Sequence, residues 1–189
     1  MPRKVRKKRR LDPSSKDRQE ATHMNHVWSY DFMFDELENG RRLKFLTVVD
    51  EYTRESLEIY VDHHITSIDV IEVLKQLIAE RDAPSFIRSD NGSEFIAHAI
   101  KRWVKEQGMQ TLYIEPGSPW QNAYSESFNA QFRRECLNRE LFCSLLESRV
   151  ITQDWRKEYN EFRPHGSLNG LTPKEFAGKE KKLTRYASL

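Results

Sequence analysis

Val27-Trp28-Ser29-Tyr30-Asp31-Phe32-Met33-Phe34 is the stretch on which the fold turns. Aromatic and apolar residues dominate it, as they do in half-buried strands, and one acid, Asp31, stands in the middle. Downstream, residues 35–42 are polar and include Asn39-Gly40, a turn signal. Residues 43–49 and 56–61 then read as a second and a third strand. Three strands in succession predict an antiparallel meander. Thr66 offers an N-cap, and Ile68, Ile71, Leu74, Leu77 and Ile78 recur at helical spacing until about Asp82. Ala83-Pro84 stops that helix; residues 85–89 form a fourth strand, and Asn91-Gly92 turns the chain into a helix over 94–107, ended by Gly108. A fifth strand at 109–114, helices at 120–138 and 145–160, and an irregular tail complete the pattern. The order β-β-β-α-β-α-β-α-α predicts the α/β class: a mixed five-stranded sheet flanked by helices.

The chain has 189 residues, enough for one sizeable domain. Its net charge of +2 is unevenly spread. Seven of the 31 Lys and Arg residues fall within residues 1–10 (Arg3, Lys4, Arg6, Lys7, Lys8, Arg9, Arg10), leaving 24 cations against 29 acids. A basic head on a mildly acidic body fits an arm that meets a polyanion, or a solubilising leader. Residues 1–22 are therefore expected to be a flexible basic arm, 23–180 the folded core and 181–189 a C-terminal tail. No signal peptide or membrane-spanning apolar run is present in the sequence, so a cytoplasmic setting with reduced thiols is expected. The two cysteines, Cys136 and Cys143, are expected to be small core residues. Neither they nor the six histidines have the spacing of a zinc site.

Three acids draw attention. Asp31 lies mid-strand, Asp90 closes the fourth strand, and Glu126 follows Asp90 with thirty-five residues between them. Strand ends in α/β sheets collect ligand-binding groups. Taken singly, Asp90-Asn91-Gly92 is a turn and Asp31 an outward-facing strand acid. Ser118-Pro119-Trp120-Gln121 has the pattern of a capping box, which puts Glu126 two turns into its helix. At about 100° per residue, Asn122, Asn129, Ala130 and Arg133 share its face, while Tyr124 and Phe128 point the other way. Carboxylates are hard oxygen ligands suited to Mg²⁺ or Mn²⁺, and a pair of such ions activates the attacking oxygen and stabilises the leaving one. Arg133 can offer its planar fork to a phosphate.

From His26 to Phe176 the chain resembles the catalytic core of retroviral-integrase-like (DDE) transposases of bacterial insertion sequences, in the downstream-frame form. The family pattern of Asp, Asp, thirty-five residues, Glu, and a basic residue seven further on falls on Asp31, Asp90, Glu126 and Arg133. Further matches are Val48-Val49-Asp50-Glu51-Tyr52-Thr53-Arg54, Ile87-Arg88-Ser89-Asp90-Asn91-Gly92 and Gly117-Ser118-Pro119-Trp120-Gln121-Asn122. Tyr159-Asn160-Glu161-Phe162-Arg163-Pro164-His165 and Leu171-Thr172-Pro173 also fit. The resemblance implies a ribonuclease-H-like fold and DNA transposition, with Asp31, Asp90 and Glu126 as catalytic and metal-binding residues for two Mg²⁺ or Mn²⁺ ions. It also implies contact with insertion-sequence terminal repeats and target DNA, a homo-multimer on that DNA, and an upstream-frame helix-turn-helix partner. Candidate DNA-binding residues are Asn122, Asn129, Arg133 and, in the arm, Lys4, Arg6, Lys7, Lys8, Arg9 and Arg10. Asp35 and Asp50 compete with Asp31 for the first acid position, and His165 fits either a DNA contact or a structural one. A truncated, non-catalytic DNA-binding or inhibitory remnant is the rival reading, and a nuclease of the same fold a third.

Overall fold

The computed structural model describes residues 20–89, 94–114 and 122–187. Five strands, β1 (Val27–Glu36), β2 (Arg42–Asp50), β3 (Ser56–Asp62), β4 (Phe86–Ser89) and β5 (Gln110–Tyr113), form one sheet in the order β3-β2-β1-β4-β5. β1, β2 and β3 pair antiparallel, as the meander predicts, and β4 and β5 add in parallel beside β1. The parallel additions need crossovers, supplied by helices α1 (Ser67–Arg81) and α2 (Glu94–Glu106). The β1–β2 turn is tighter than the polar run implies: Gly40 adopts φ +77°, a region open to glycine, and its N–H donates to the Leu37 carbonyl at 2.8 Å.

Period-2 alternation along β1 divides the core between the two faces of the sheet. Trp28 and Tyr30 face α1 and α2, joining Leu46, Val70, Leu74, Ile87 and Val104 in one buried cluster. Met33 faces the other side, where Phe45, Phe128, Phe132, Phe142 and Tyr159 build the second cluster. The second cluster belongs to α3 (Ala123–Phe132) and α4 (Leu145–Glu161). Thr66 caps α1 as expected, its hydroxyl accepting from Asp69 N–H while the Asp69 carboxylate accepts from Thr66 N–H at 2.7 Å.

Three expectations are corrected, and a fourth, the Ser118 cap, lies outside the described residues. The helix expected over 120–138 is α3 followed by a π-helical turn, Arg133–Leu137, in which Asn138 N–H reaches the Arg133 carbonyl at 2.8 Å. An i→i+5 turn brings Leu137 back over Phe132, so Phe132, Cys136 and Leu137 all reach the core; an α-helical step would swing Leu137 away. The position before α3 is Asn122, which makes no side-chain cap bond, and the residues of the expected Ser118 cap lie outside the described set. The chain after residue 160 is not irregular throughout: α5 (Pro173–Ala187) follows and crosses residue 180. Its start is a capping box, with Thr172 N–H donating to Glu175 at 2.9 Å, Glu175 N–H donating to the Thr172 hydroxyl at 3.2 Å, and Pro173 at the first helical position. Cys136 is buried as expected, but Cys143 is exposed in the segment leading to α4.

Candidate active site

Asp31 pairs in register with Thr47 on β2, and both meet α3 through one side chain. Asn129 Nδ2 donates to Asp31 Oδ2 at 2.8 Å, and the Thr47 hydroxyl donates to Asn129 Oδ1 at 3.0 Å. The same hydroxyl lies 3.3 Å from the Asp31 carbonyl, but its single proton favours the shorter contact. Asp31 Oδ1 accepts from Phe32 N–H at 2.7 Å. The carboxylate is thus oriented from both oxygens. Carboxylate oxygens are the donor type that suits a hard cation.

Residues 31–36 of β1 lie beyond the last β1–β4 pair, Tyr30 with Ser89. Ser89 immediately precedes Asp90 in the chain, as Tyr30 precedes Asp31. Asp90, Asn91 and Gly92 themselves lie outside the described residues, as do the arm cations Lys4, Arg6, Lys7, Lys8, Arg9 and Arg10. Among the described residues no three His, Cys, Asp or Glu side chains gather as a metal cluster.

Glu126 is exposed in the first turn of α3, not two turns in, because the helix begins at Ala123. The positive end of the helix dipole favours a carboxylate there. Asn129 lies one turn further along, so Glu126 is carried by the helix that grips Asp31. The shared polar face expected for this helix is split. Asn122 and Asn129 are buried at 7% and 9% exposure, whereas Glu126 and Ala130 face outward. Ser125, Phe128, Asn129 and Phe132 form the stripe against the sheet, and hydrogen bonds to Asp31 and Thr47 compensate the burial of the Asn129 amide. Arg133 sits at the start of the π turn, half-exposed. Its Nη2 donates to the Phe34 carbonyl at 2.6 Å and its Nη1 lies 3.7 Å from Asp35 Oδ2, which ties α3 to the far end of β1.

The competing acids are both engaged within the fold. Asp50 is fully buried and accepts N–H bonds from Asn25, Tyr52 and Thr53 at 2.8, 2.8 and 3.0 Å. Burial raises its carboxyl above the usual range, while those three N–H donors and Glu55 modify the effect. Asp35 accepts from Glu36 N–H and neighbours Arg133. His165 packs its ring edge-on against Tyr159 at 4.8 Å, and its backbone N–H donates to the Leu171 carbonyl at 2.9 Å in the turn before α5. Sequence reasoning missed Thr47 altogether and gave Asn129 to DNA. No sequence signal marks either, since their link exists only when α3 crosses β1 and β2.

Comparison with known proteins decides the family: two profiles described as Integrase core domain match residues 21–119 and 107–173. The chain belongs to the integrase core family. This integrase core is 48% identical over 177 residues to the "Insertion element IS476 uncharacterized 39.2 kDa protein" of Xanthomonas euvesicatoria, covering 92% of the chain and 51% of that protein. It is 23% identical over 162 residues to "Transposase InsF for insertion sequence IS3A" of Escherichia coli K12, covering 84% of the chain and 56% of that protein. The chain thus spans about half the length of the curated relatives it matches. Among solved structures, the HTLV-2 integrase catalytic core domain in complex with magnesium superposes with a TM-score of 0.67 at 16% identity, covering 84% of this chain and 99% of that one. The expected ribonuclease-H-like architecture, a mixed five-stranded sheet flanked by helices, is therefore the fold of this integrase core. Among the described residues no helix is long and apolar enough to cross a membrane.

Proposed function

We propose that this chain is the catalytic core of an insertion-element transposase, cutting and joining DNA by metal-dependent phosphoryl transfer, with Asp31, Asp90 and Glu126 as its acid set. The observation that carries the reading is the Asn129 amide, which fixes Asp31 from the helix that bears Glu126. The pairing of Ser89 with Tyr30, one residue before Asp90 and Asp31 respectively, supports the third member.

Carboxylates without thiolate or imidazole make a hard donor set, and that fits Mg²⁺ or Mn²⁺. A pair of such ions, when bound, lowers the pKa of the attacking oxygen and neutralises charge on the leaving one. Asp31 contributes a pre-oriented carboxylate, and Glu126 one at a helix N-terminus. Arg133 presents its guanidinium at the far end of β1, on the Phe34 carbonyl, where it can meet a DNA phosphate. Water attacks a phosphodiester at the element's end, forming one P–O bond, breaking another and freeing a 3′-OH. That hydroxyl then attacks a target phosphodiester in line and expels a target 3′-oxygen. No covalent protein intermediate is formed, so no Ser, Tyr or Cys nucleophile is required.

The same reading assigns the arm cations to DNA phosphates, the assembly to a homo-multimer on two DNA ends in the cytoplasm, and terminal-repeat recognition to a separate helix-turn-helix protein. The test is a duplex carrying the element's ends, incubated with the protein and Mn²⁺. Wild type nicks or joins strands, whereas Asp90→Asn and Glu126→Gln abolish both and retain salt-dependent binding. Equal activity in all three sinks the assignment and favours a nuclease contaminant; no activity in any favours the non-catalytic remnant. Deleting residues 1–10 weakens binding and flattens its dependence on salt, and unchanged binding would leave the arm a mere leader.

A further inference from the structure

The turn joining β2 to β3, Asp50-Glu51-Tyr52-Thr53-Arg54, is tied to more of the molecule than a hairpin requires. Asp50 closes it by accepting three backbone N–H bonds. Glu51 N–H donates to the Val27 carbonyl at 3.0 Å, fastening the turn to the start of β1. The Glu51 carboxylate, 1% exposed, lies 2.9 Å from Arg88 Nε, 3% exposed. This is an ion pair buried on both sides. Arg88 belongs to β4 and stands two residues before Asp90.

At the other end of the turn, Arg54 adopts φ +63°, a left-handed conformation that a long side chain rarely takes. Its guanidinium donates to the Glu51 carbonyl and lies 3.5 Å from the centroid of the Tyr124 ring. Tyr124 is in the first turn of α3, two residues before Glu126. A short hairpin would place Gly or Asn at such a position at no strain. Here an Arg is kept, and its head is aimed at α3. A buried ion pair is likewise weak evidence for stability, and its best-attested use is to fix one arrangement among several. Both costly features lie in one turn, one facing the strand that leads to Asp90 and one facing the helix that carries Glu126.

We infer that Glu51, Arg54 and Arg88 are positioning residues: the turn clamps the end of β4 and the start of α3 so that Asp90 and Glu126 meet one divalent-cation site. The inference rests on the acid set of the proposed function. None of the three need touch DNA or metal. Their effect is on how well the site is preformed, and supporting residues of this kind typically alter metal affinity by about 10–100-fold.

The test uses Arg54→Gly, which relieves the left-handed strain while removing the contact with Tyr124, and Tyr124→Leu, which removes the ring from the other side. Mn²⁺ affinity of the DNA-free protein is measured by calorimetry, the melting temperature is recorded, and cleavage is followed across Mn²⁺ concentrations. Arg54→Gly is expected to melt no lower than wild type, to bind Mn²⁺ about tenfold more weakly, and to regain near-wild-type cleavage at saturating Mn²⁺. Tyr124→Leu should show the same shift in half-saturating Mn²⁺. Asp31→Asn is the control. Weakened Mn²⁺ binding in Asp31→Asn with wild-type binding in both other variants overturns the positioning role alone. Undiminished binding in Asp31→Asn overturns the metal-site reading and the positioning role with it.

Discussion

Asn129 engages the sheet with both ends of its amide, and this contact best illustrates what single residues do here. Its nitrogen orients Asp31 and its oxygen accepts from Thr47, so removing it takes one hydrogen bond from a half-buried carboxylate and one from a buried hydroxyl. Asn129→Ala should cost about 1–3 kcal/mol of unfolding free energy, read from urea denaturation. It should also lower Mn²⁺-dependent cleavage, because Asp31 is no longer held from above. Unchanged stability and rate would mean that the amide is incidental. Asp31 was legible in the sequence as the one acid inside an aromatic strand. The partnership was not, because an Asn on a helix carries no sign of which strand it will meet. Asp50 shows the converse: from the sequence it rivals Asp31, and only its three backbone donors reveal a turn residue.

At the scale of elements, the strands and α1 were legible because alternation and capping are local. α3 was less so. An unbroken α-helix would put Asn129 and Arg133 on the face of Glu126, whereas the core takes Phe132, Cys136 and Leu137 together through the π turn. α5 was missed for a different reason. Pro-Lys-Glu-Phe-Ala-Gly-Lys-Glu-Lys-Lys has too few apolar residues for a periodic signal, although Thr172-Pro173-Lys174-Glu175 spells out its start. The helix docks through Phe176, whose ring lies 5.5 Å from that of Tyr52, and through Glu180, which accepts from the Tyr52 hydroxyl at 3.1 Å. Thr172→Ala should therefore destabilise the fold by about 1 kcal/mol, measured as a lower urea midpoint. Thr172→Ser should restore most of it. Equal midpoints for all three would show that the cap contributes nothing.

For the whole molecule, the sheet separates two cores, and Asp31 belongs to the face covered by α3 and α4, where Asn129 reaches it, while α1 and α2 cover the other. That division follows from the alternation in β1 and so was implicit in eight residues. Stability should depend on pH through the second face. Burial holds His165 below its ordinary range, helped by Arg163 and Arg54, and the unfolded chain takes up the proton near pH 6.5. Its contribution is complete above about pH 6.5 and is lost as pH falls through the lowered folded value. His26 acts in the same sense, through burial and His23, whereas buried Asp50, with its raised carboxyl, acts in the opposite one. Wild type should therefore lose more stability between about pH 7.5 and 5.5 than His165→Gln does, since the variant lacks that one titration. Equal losses would remove His165 from the account.

The central claim is that Asp31, Asp90 and Glu126 hold divalent metal at a DNA phosphate. The most direct measurement is the anomalous scattering of Mn²⁺ in a crystal of the protein with DNA carrying the element's end. The account predicts a manganese peak within about 2–2.5 Å of carboxylate oxygens of Asp31 and Asp90, with Glu126 and the scissile phosphate completing the site. A well-ordered complex whose manganese lies elsewhere, or whose three acids point apart around bound DNA, would contradict it.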